Sequence, residues 1–402
     1  MANVLYLTHR MPFPPDKGDK ITTFNFLRHL ATKHRVFLGA FVDSEADWAQ
    51  ADELKAYCAE TKLIRIAPLR QRAWSATAFL HGASISEVYH RDAGLQAWVD
   101  DVVPRHGIRT GLAYCSAMAP YLAGPKFAPM RRVTHYADVD SEKWKTYAAT
   151  KRPPMSWVYG REARTLLDLE RRMSAQYDIT SFVSDADAAL YRQLAPESAA
   201  QVRVIPNGVD TDYFSPDLPF DSPFAAGSQA VVFTGAMDYW PNADAVVWFA
   251  NEVFGRIRQQ RPEAEFWIVG SKPGAGVTKL ESIAGVHVTG RVPDVRPYLA
   301  HAGAVVAPLR VARGTQNKVL EAYAMARAVV MTSAAANGLL PADFIAGSTH
   351  DEPPAMAAAV VQALAQPPGF DAARQYVMTQ YSWRNAFGLL DEALQTVPME
   401  ST

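Results

Sequence analysis

The sequence predicts an α/β protein made of two doubly wound domains, each built on a parallel sheet. Short apolar runs rich in Val, Ile and Phe alternate with longer amphipathic stretches, which is the pattern of βαβ units. The alternation occurs in two series, which a proline-rich stretch at 206–227 separates. A chain of 402 residues is also too long for one ordinary hydrophobic core and fits two such domains.

Seven strand-like runs form the first series. They are Val4–Leu7, Arg35–Phe41, Lys62–Ala67, Gly111–Cys115, Arg132–Tyr136, Ile179–Val183 and Val202–Ile205. Helical patterns lie between the runs, for example at Thr22–His34 and Ser44–Cys58. We therefore expect parallel strands joined by crossover helices.

Five further runs form the second series. They are Ala230–Thr234, Glu265–Val269, Val286–Thr289, Ala304–Pro308 and Ala328–Thr332. Amphipathic patterns predict a helix at Asp244–Gln260 and a last helix at Ser382–Leu394. The stretch between the two series has four prolines and little periodicity, which is typical of a linker. The predicted domains are therefore 1–210 and 229–378, with a linker at 211–228 and a C-terminal helical segment at 379–402.

Composition excludes several functional classes. Lys plus Arg number 40 and Asp plus Glu number 41, so we expect no nucleic-acid partner. The two cysteines, Cys58 and Cys115, belong to no CxxC or Cys/His cluster, which argues against a disulfide framework and a zinc site. Both are interpreted as buried thiols in a reducing compartment.

The N-terminal residues and the hydropathy predict the cellular location. Met1–Pro15 has no basic segment before an apolar run, and its apolar run is too short for a signal peptide. No stretch of about 18 apolar residues predicts a membrane span. We expect a cytoplasmic protein that could also lie on the inner face of the plasma membrane.

The first candidate site is the loop Met11–Lys20, between the first predicted strand and the first predicted helix. Amides at a helix start carry partial positive charge and can hold an anion. Gly18 permits close approach of the backbone, and Lys17 and Lys20 add charge. We assign Gly18, Asp19 and Lys20 to an acceptor or phosphate loop, and the alternative is a proline-rich connection without a ligand. The loop is not a GxGxxG motif, so it gives little support to nicotinamide binding.

Asp138 and Asp140 form the second candidate site, just after the run Arg132–Tyr136. Carboxylates at the carboxyl end of a strand could orient a sugar or take a proton, so both are catalytic candidates. They could also bind a divalent metal as a DxD pair. The structural alternative is that either residue is the N-cap of a helix at Glu142–Tyr147.

The segment Lys143–Arg172 combines charge and aromatic residues. It contains eight basic and three acidic residues, with Trp144, Tyr147, Trp157 and Tyr159 among them. Such a segment could lie on an anionic membrane surface or hold a lipid-linked pyrophosphate. A weaker version occurs earlier, at Arg70, Arg72, Trp74 and Phe79. The alternative is a solvated helix face whose aromatic residues lie in the core.

The strongest pattern lies in the second domain, at Ala307–Arg327. An apolar strand is followed by a loop holding Gly314 and Thr315, and then by a helix. The amides of the helix start and the Thr315 hydroxyl could hold a pyrophosphate. Lys318 would lie near the same charge, and Glu321, one turn later, could accept both ribose hydroxyls. The alternative, a surface helix with ordinary capping, does not explain this order of loop, cation and acid.

Several segments together carry a resemblance to a known family. They are Val183–Leu190, Val204–Asp210 with Phe214 and Pro216, Phe233–Gly235, Gly290–Tyr298 and Lys318–Ala326. With these segments the chain resembles, over nearly its whole length, the retaining GT-B-fold glycosyltransferases of the group 1 or family 4 type. More narrowly, Phe41–Trp48 and Asp138–Trp144 resemble a subgroup tied to exosortase and PEP-CTERM exopolysaccharide loci.

The resemblance implies two facing Rossmann-like domains, with a C-terminal helix that crosses back to the N-terminal domain. It implies a nucleotide-diphosphate sugar, usually a UDP-sugar, in the C-terminal domain, and a glycan or polyprenyl-linked acceptor. Gly235 would lie near the phosphates, which Gly314 and Thr315 would hold. Lys318 would support the leaving pyrophosphate and Glu321 would bind ribose. Members generally need no metal or other cofactor, which weakens the metal interpretation of the DxD pair.

The chain departs from the family pattern in the donor domain. Many members carry a second acid before the helix glutamate, where this chain has Arg313. Many also carry an Arg and a Lys after the first glycine of the donor domain, where this chain has Ala236–Asn242. Positive charge on the diphosphate must then come from elsewhere, and Arg310, Arg313 and Lys318 are the candidates.

A third departure lies in the first domain. Many members have a His after the fifth strand, and Asp138 or Asp140 occupies about that place, with His135 just before. Which of the three orients the transferred sugar stays open at this point.

The predicted activity is transfer of a sugar from a nucleotide-diphosphate sugar to an acceptor in exopolysaccharide biosynthesis, with retention. Preorganised amides and cations would stabilise the charge that grows on the departing diphosphate. Two alternatives stay open: a UDP-sugar epimerase of the same fold, and a non-catalytic nucleotide-sugar-binding scaffold.

Overall fold

The chain forms two compact units in the computed structural model, which describes residues 1–15, 18–67, 75, 77–312, 314–366 and 369–395. The first unit contains the residues up to Ile205 and, again, those from Ala386 onward. The second unit contains Pro206–Asn385. Lys17, Arg70, Arg72, Trp74 and Arg313, which the sequence singles out, lie outside the described residues.

A sheet of seven parallel strands forms the centre of the first unit, in the order β3-β2-β1-β4-β5-β6-β7. The strands are β1 Ala2–Thr8, β2 His34–Val42, β3 Cys58–Arg65, β4 Thr110–Tyr114, β5 Arg131–Ala137, β6 Ile179–Phe182 and β7 Val202–Val204. All seven predicted runs are therefore strands. Val4–Leu7 is buried throughout, as is usual for a parallel strand whose two faces are both covered.

The described helices of the first unit lie between these strands. They are α1 Gly18–Lys33, α2 Glu45–Trp48, α3 Ala78–His81, α4 Ile85–Tyr89, α5 Ala93–Arg105, α6 Asp140–Thr150, α7 Met155–Ser174 and α8 Asp185–Leu194, with 3₁₀ turns at Ala51–Ala56, Ser116–Leu122, Pro125–Phe127 and Pro196–Gln201.

The prediction of a single helix at Ser44–Cys58 is wrong. Ser44 caps the short helix α2 by accepting a hydrogen bond of 3.0 Å from the amide of Asp47. A 3₁₀ turn follows, and Cys58 already belongs to β3, where it pairs with Val36 of β2. Pairing of β3 along β2 thus overrides the local helical pattern, because it satisfies the backbone groups of a whole strand.

The second unit has a sheet of five parallel strands, in the order β10-β9-β8-β11-β12. The strands are β8 Gln229–Thr234, β9 Ala264–Val269, β10 Val286–Gly290, β11 Ala304–Ala307 and β12 Val329–Met331, so the predicted runs of this series are strands as well. The helices are α9 Trp240–Trp248, α10 Phe254–Gln260, α11 Ala275–Thr278, α12 Arg296–Ala300, α13 Asn317–Ala324, α14 Ser333–Ala336, α15 Asp343–Gly347, α16 Pro353–Leu364 and α17 Asp371–Gln380, with a π turn at Phe249–Val253 and a 3₁₀ turn at Lys279–Ser282.

The helix after β8 begins earlier than predicted and is interrupted. It starts at Trp240 instead of Asp244, because Pro241 is well accommodated in a first helical turn, where its missing N–H would have no partner. The π turn at Phe249–Val253 separates α9 from α10. The early start places Asn242 close to the end of β8.

The last helix, α18 Trp383–Leu394, belongs to the first unit from Ala386 onward. Asp391 accepts hydrogen bonds from Lys33 Nζ at 2.6 Å and from His29 Nε2 at 2.8 Å. Arg131 Nε donates to the carbonyl of Ala393 at 3.0 Å. The C-terminal helix therefore returns to the first unit, as predicted.

Candidate functional site

The candidate site of the second unit lies where the strand order reverses, between β8 and β11. Ligands of doubly wound sheets bind outside the carboxyl ends of the strands at such a point. The loop after β8 begins with Gly235, and the loop after β11 leads to α13, which carries Lys318. The structure brings these two predicted residues together.

Gly235 has no room for a side chain. A Cβ atom there would lie 2.8 Å from Nδ2 of Asn242 and 3.1 Å from Nζ of Lys318. A Cβ on Gly270 would in turn lie 1.7 Å from the carbonyl oxygen of Gly235. Close packing of loops at the end of β8 therefore requires glycine at both positions, and it leaves the ammonium of Lys318 directly beside the Gly235 backbone.

Asn242 holds the ammonium of Lys318 in place. The Lys318 Nζ donates a hydrogen bond to Oδ1 of Asn242, while Nδ2 of Asn242 donates to the carbonyl of Ala236 at 2.8 Å. The same ammonium lies 4.5 Å from the centre of the Phe233 ring. Asn242 is only 6% exposed, so this arrangement is fixed by packing as well as by hydrogen bonds.

Lys318 and Glu321 lie one turn apart on α13 and influence each other's charge. Burial lowers the pKa of Lys318 to about 7, and the charge of Glu321 opposes that shift. Burial also raises the pKa of Glu321 to about 7, and the charge of Lys318 opposes that shift. Burial thus disfavours the charged form of both side chains, while each charge stabilises the other, as is common at functional sites.

Gly314 and Thr315 shape the loop before α13. Gly314 has a left-handed backbone with φ of 59°, and a Cβ on Gly338 would lie 2.1 Å from its carbonyl oxygen. The Thr315 hydroxyl donates to the carbonyl of Gly338 at 3.0 Å, and Thr315 is buried. The hydroxyl proton that was expected at a phosphate is thus engaged by Gly338, which follows α14, so the backbone amides before α13 are the better candidates for contact with a phosphate.

The start of α13 offers backbone amides that could bind a ligand. Gln316 at the N-cap makes no side-chain capping bond, and the first amides of a helix have no partner inside it. Oδ1 of Asn317, the first helical residue, is buried and has no hydrogen-bond partner. Sequence reasoning missed Asn317, because an Asn in a first turn is unremarkable until its side chain is found enclosed.

Arg310 is engaged by a neighbouring helix. Its Nε donates to Oδ2 of Asp244 on α9 at 2.9 Å, and its Nη2 donates to Oδ1 of the same carboxylate. Asp244 thereby holds the loop after β11 against α9. Arg310 would have to exchange this partner for a diphosphate, so Lys318 is the better placed of the two cations.

In the first unit, the loop after β1 forms an ionic cluster around Asp19. Arg10 Nη1 donates to Asp19 Oδ2 at 2.9 Å, and His9 Nε2 lies 3.2 Å from the same oxygen. Burial by itself would raise the pKa of Asp19, but the hydrogen bond and charge of His9 and the charge of Arg10 hold it well below its usual range. Gly18 is the first residue of α1, so Asp19 lies in the first turn of that helix. His9 and Arg10 were not predicted, although a His–Arg pair directly after a strand is a usable signal.

Lys20 does not provide the ligand-binding cation that was expected at this loop. Its side chain is 1% exposed, and its Nζ donates to Oδ1 of Asp47 at 3.1 Å. The charge of Lys20 is therefore compensated inside the first unit and is not presented to a ligand.

Asp138 and Asp140 lie at the carboxyl end of β5, but neither caps a helix. Helix α6 begins at Asp140 itself, with Val139 at the N-cap and no side-chain capping bond, so the capping interpretation is wrong. Ala137 has φ of 64°, a strained conformation for a residue with a side chain, and this bend directs the chain into α6. Asp140 lies in the first turn of α6, where a negative charge is favourable.

Tyr114 links Asp138 to the cluster around Asp19. Burial raises the pKa of Tyr114, and the charges of Asp19 and Asp138 raise it further. The His9 ring stacks on Tyr114 with centroids 5.8 Å apart. Polar side chains at the ends of β1, β4 and β5 thus lie near one another in the first unit.

His135 is enclosed within the sheet. Its ring is fully buried, its Nδ1 lies 2.9 Å from Ser181 Oγ, and its Nε2 has no partner. Burial lowers the pKa of His135 to about 3, so the ring is neutral at physiological pH. Of the three candidates for orienting a sugar, the two aspartates are therefore better placed. Within the described residues, no group of three or more His, Cys, Asp or Glu side chains could hold a metal ion.

Fold and site together define a two-unit α/β protein with a cation and an acid at the switch point of its second sheet. Comparison with known families makes the assignment more specific. Residues 228–366 match the model of the family described as glycosyl transferases, group 1. This match lies within the second unit and confirms the predicted enzyme class, a glycosyltransferase.

Solved structures of similar fold extend over nearly the whole chain. HepE of Anabaena, solved in complex with UDP and glucose, is 15% identical, with a TM-score of 0.67 over 99% of this chain and 100% of that chain. Sucrose-phosphate synthase of Thermosynechococcus elongatus is 15% identical, with a TM-score of 0.68 over 98% of each chain. WaaG, a glycosyltransferase of lipopolysaccharide biosynthesis, is 17% identical, with a TM-score of 0.65 over 98% of this chain and 100% of that chain. These similarities confirm the GT-B fold. A search of curated proteins found no match.

Proposed function

We propose that this protein transfers a sugar from a UDP-sugar to a glycan or polyprenyl-linked acceptor in exopolysaccharide biosynthesis, with retention of configuration. The observation that carries the proposal is the ammonium of Lys318, held by Asn242 beside the Gly235 backbone at the switch point of the second sheet. Related folds have been solved with UDP and with UDP-glucose bound, which supports a uridine nucleotide as donor.

The donor would be held by charge and by backbone amides. The first amides of α13 and the Lys318 ammonium face the negative charge of the diphosphate. Glu321 accepts the two ribose hydroxyls, since a carboxylate can receive two hydrogen bonds side by side. The site needs no metal, because a cation and helix-start amides can supply the positive charge.

The transfer breaks the bond between the anomeric carbon and the diphosphate oxygen and forms a bond from that carbon to an acceptor oxygen. The electron pair of the broken bond stays on the diphosphate, where Lys318 and the amides stabilise it. For retention, the acceptor oxygen attacks the face of the sugar that the diphosphate leaves, and the departing diphosphate oxygen takes the acceptor proton. Asp138 and Asp140 are the proposed catalytic carboxylates, which orient the sugar or stabilise positive charge at the anomeric carbon. Gly18 and Asp19 are assigned to acceptor binding, whereas Arg310 supplements Lys318 only if it leaves Asp244.

We place the protein in the cytoplasm, at the inner face of the plasma membrane, where a polyprenyl-linked acceptor is accessible. Nucleotide-sugar donors are charged and water-soluble, and a lipid-linked acceptor stays in the bilayer. An enzyme that joins them is expected at the boundary between the two phases.

Donor binding and transfer test the proposal separately. UDP should raise the unfolding temperature of the wild-type protein, because a ligand that binds only the folded state stabilises it. Lys318→Ala should abolish that rise at the same UDP concentration while leaving the unliganded protein folded. A panel of UDP-sugars, incubated with membrane extracts as acceptor source, should then release UDP. UDP binding without any release would support a non-catalytic scaffold instead, and absence of UDP binding would reject the donor assignment.

A further inference from the structure

The turn between α6 and α7 exposes large apolar side chains. Residues 149–155 are all exposed, and Trp157, on the first turn of α7, is 72% exposed. Met155 is 43% exposed. A tryptophan so open to water is unusual, because burial of its ring is strongly favourable.

A separate aromatic cluster lies between α6 and α7. In this cluster the ring centres of Trp144 and Tyr159 are 5.2 Å apart, and those of Trp144 and Tyr147 are 5.8 Å apart. The two helices also pack together at Gly160, whose Cβ position lies at an ordinary contact distance of 3.9 Å from the Cβ of Ala148. Trp157 and Met155 are therefore available for a contact outside the described fold.

Along the sequence, this turn and its flanking residues carry charge of one sign. From Lys143 to Arg161 the sequence contains five basic residues and no acidic residue. Lys145 lies 2.9 Å from Glu142, which compensates it within α6. Lys151 and Arg152, in contrast, lie in the exposed run itself, directly before the apolar residues.

A second exposed aromatic residue lies beside α7. Phe79 is 49% exposed and packs under the guanidinium of Arg161, whose Cζ is 4.6 Å from the ring centre. Arg161 also donates to the carbonyl of Ala78 at 2.7 Å, which ties α3 to α7. An exposed aromatic ring and a basic group are thus combined a second time, beside α7.

We propose that residues 149–157, which we call the basic turn, dock on an anionic phospholipid surface. Trp157 and Met155 would enter the interface below the headgroups, because an aromatic ring with a polar edge is favoured there. Lys151 and Arg152 would contact the phosphates, each adding about fivefold to the partitioning. The turn is much smaller than the 20 to 30 residues per side of a stable protein interface, which favours a lipid surface as its partner.

The membrane contact deepens the proposed function, because it would hold the enzyme where a lipid-linked acceptor lies, and its catalytic meaning rests on that function. The contact itself does not depend on donor binding. None of the described helices is long and apolar enough to cross a bilayer, so attachment through the basic turn would be peripheral.

Flotation with vesicles tests the proposal. The wild-type protein should float with phosphatidylcholine vesicles that contain about one third phosphatidylglycerol, and rising salt should weaken this binding. Lys151→Gln with Arg152→Gln should lower the partition coefficient about 25-fold, because two charges are lost. Trp157→Ser should lower it about tenfold, because less apolar area is buried.

Matched variants in the second unit control for general charge and hydrophobicity. Arg256→Gln with Lys279→Gln removes two exposed charges, and Met378→Ser removes an exposed apolar residue, so both should bind vesicles like the wild type. All variants should keep the stabilisation by UDP, which separates a failure of docking from a failure of the donor assignment. The proposal is overturned if the wild type does not float with anionic vesicles, or if the basic-turn variants float as well as their controls.

Discussion

Asn242 accepts a hydrogen bond from the ammonium of Lys318 and, through the other end of its amide, donates to the carbonyl of Ala236. One side chain thus connects the loop after β8 to the helix after β11. Because Asn242 is buried, it determines where the ammonium points, and we assign it as a positioning residue of the donor site.

Asn242→Ala should weaken UDP binding by about tenfold, because a charged donor loses its fixed partner, at a cost of about 1–3 kcal/mol. Isothermal titration with UDP measures the change. Asn251→Ala is the control, because Asn251 lies exposed on the adjacent π turn and donates only to the carbonyl of Val247. Equal affinity of the Asn242 and Asn251 variants would contradict the positioning role.

Glu321 and Lys318 should differ in the part of the nucleotide that they recognise. Glu321→Gln should weaken binding of UDP by about tenfold while leaving binding of inorganic pyrophosphate no weaker, because pyrophosphate has no ribose. Lys318→Ala should weaken the binding of both UDP and pyrophosphate, because both carry the diphosphate charge. Competition of the two ligands in a thermal-shift titration measures this. If Glu321→Gln weakened the binding of both ligands equally, the assignment of Glu321 to the ribose hydroxyls would be wrong.

UDP binding should weaken as the pH rises above about 7. Burial lowers the pKa of Lys318 to about 7, so the ammonium that attracts the diphosphate is present below that pH and is lost above it. Burial raises the pKa of Glu321 to about 7, so a negative charge that repels the diphosphate appears over the same range. The decrease should approach tenfold per pH unit where only the charged form binds. A titration between about pH 7 and 9 avoids the ionisation of the terminal phosphate, near about pH 6. Lys318→Arg should give a flatter profile, because a guanidinium keeps its charge. A wild-type profile as flat as that of Lys318→Arg would argue against the role of the ammonium.

Lys20 should prove to be a stabilising residue of the first unit. Lys20→Met should leave the carboxylate of Asp47 without its buried partner and lower the free energy of unfolding by about 3 kcal/mol. Urea unfolding, followed at the transition of the first unit, measures the loss. The control is Lys55→Met, because Lys55 and Asp52 form an ion pair that is exposed on both sides and contributes little. Stabilisation by UDP should survive in both variants. A Lys20→Met protein that is as stable as the control would restore the interpretation of Lys20 as a ligand-binding cation.

The sequence by itself determined both sheets. Runs such as Val4–Leu7 and Ala304–Ala307 are apolar on both faces, and a short strand of this kind is stable only inside a covered parallel sheet. The sequence also predicted that Lys318 and Glu321 lie close together after such a strand and its loop. Residues three positions apart share one face of a helix, whatever the rest of the fold.

Only the tertiary structure decided what each polar side chain contacts. Ser44–Cys58 has the periodicity of a helix, yet pairing with β2 takes Cys58 into a strand, because that pairing depends on residues far away in the chain. Lys20 was expected to contact a ligand, yet it is buried against Asp47. Asn242 holds the ammonium of Lys318, although its segment was noted in the sequence only because it lacks Arg and Lys. A sequence gives the charge of a long side chain but not its direction, because that direction is set by partners that only folding brings near.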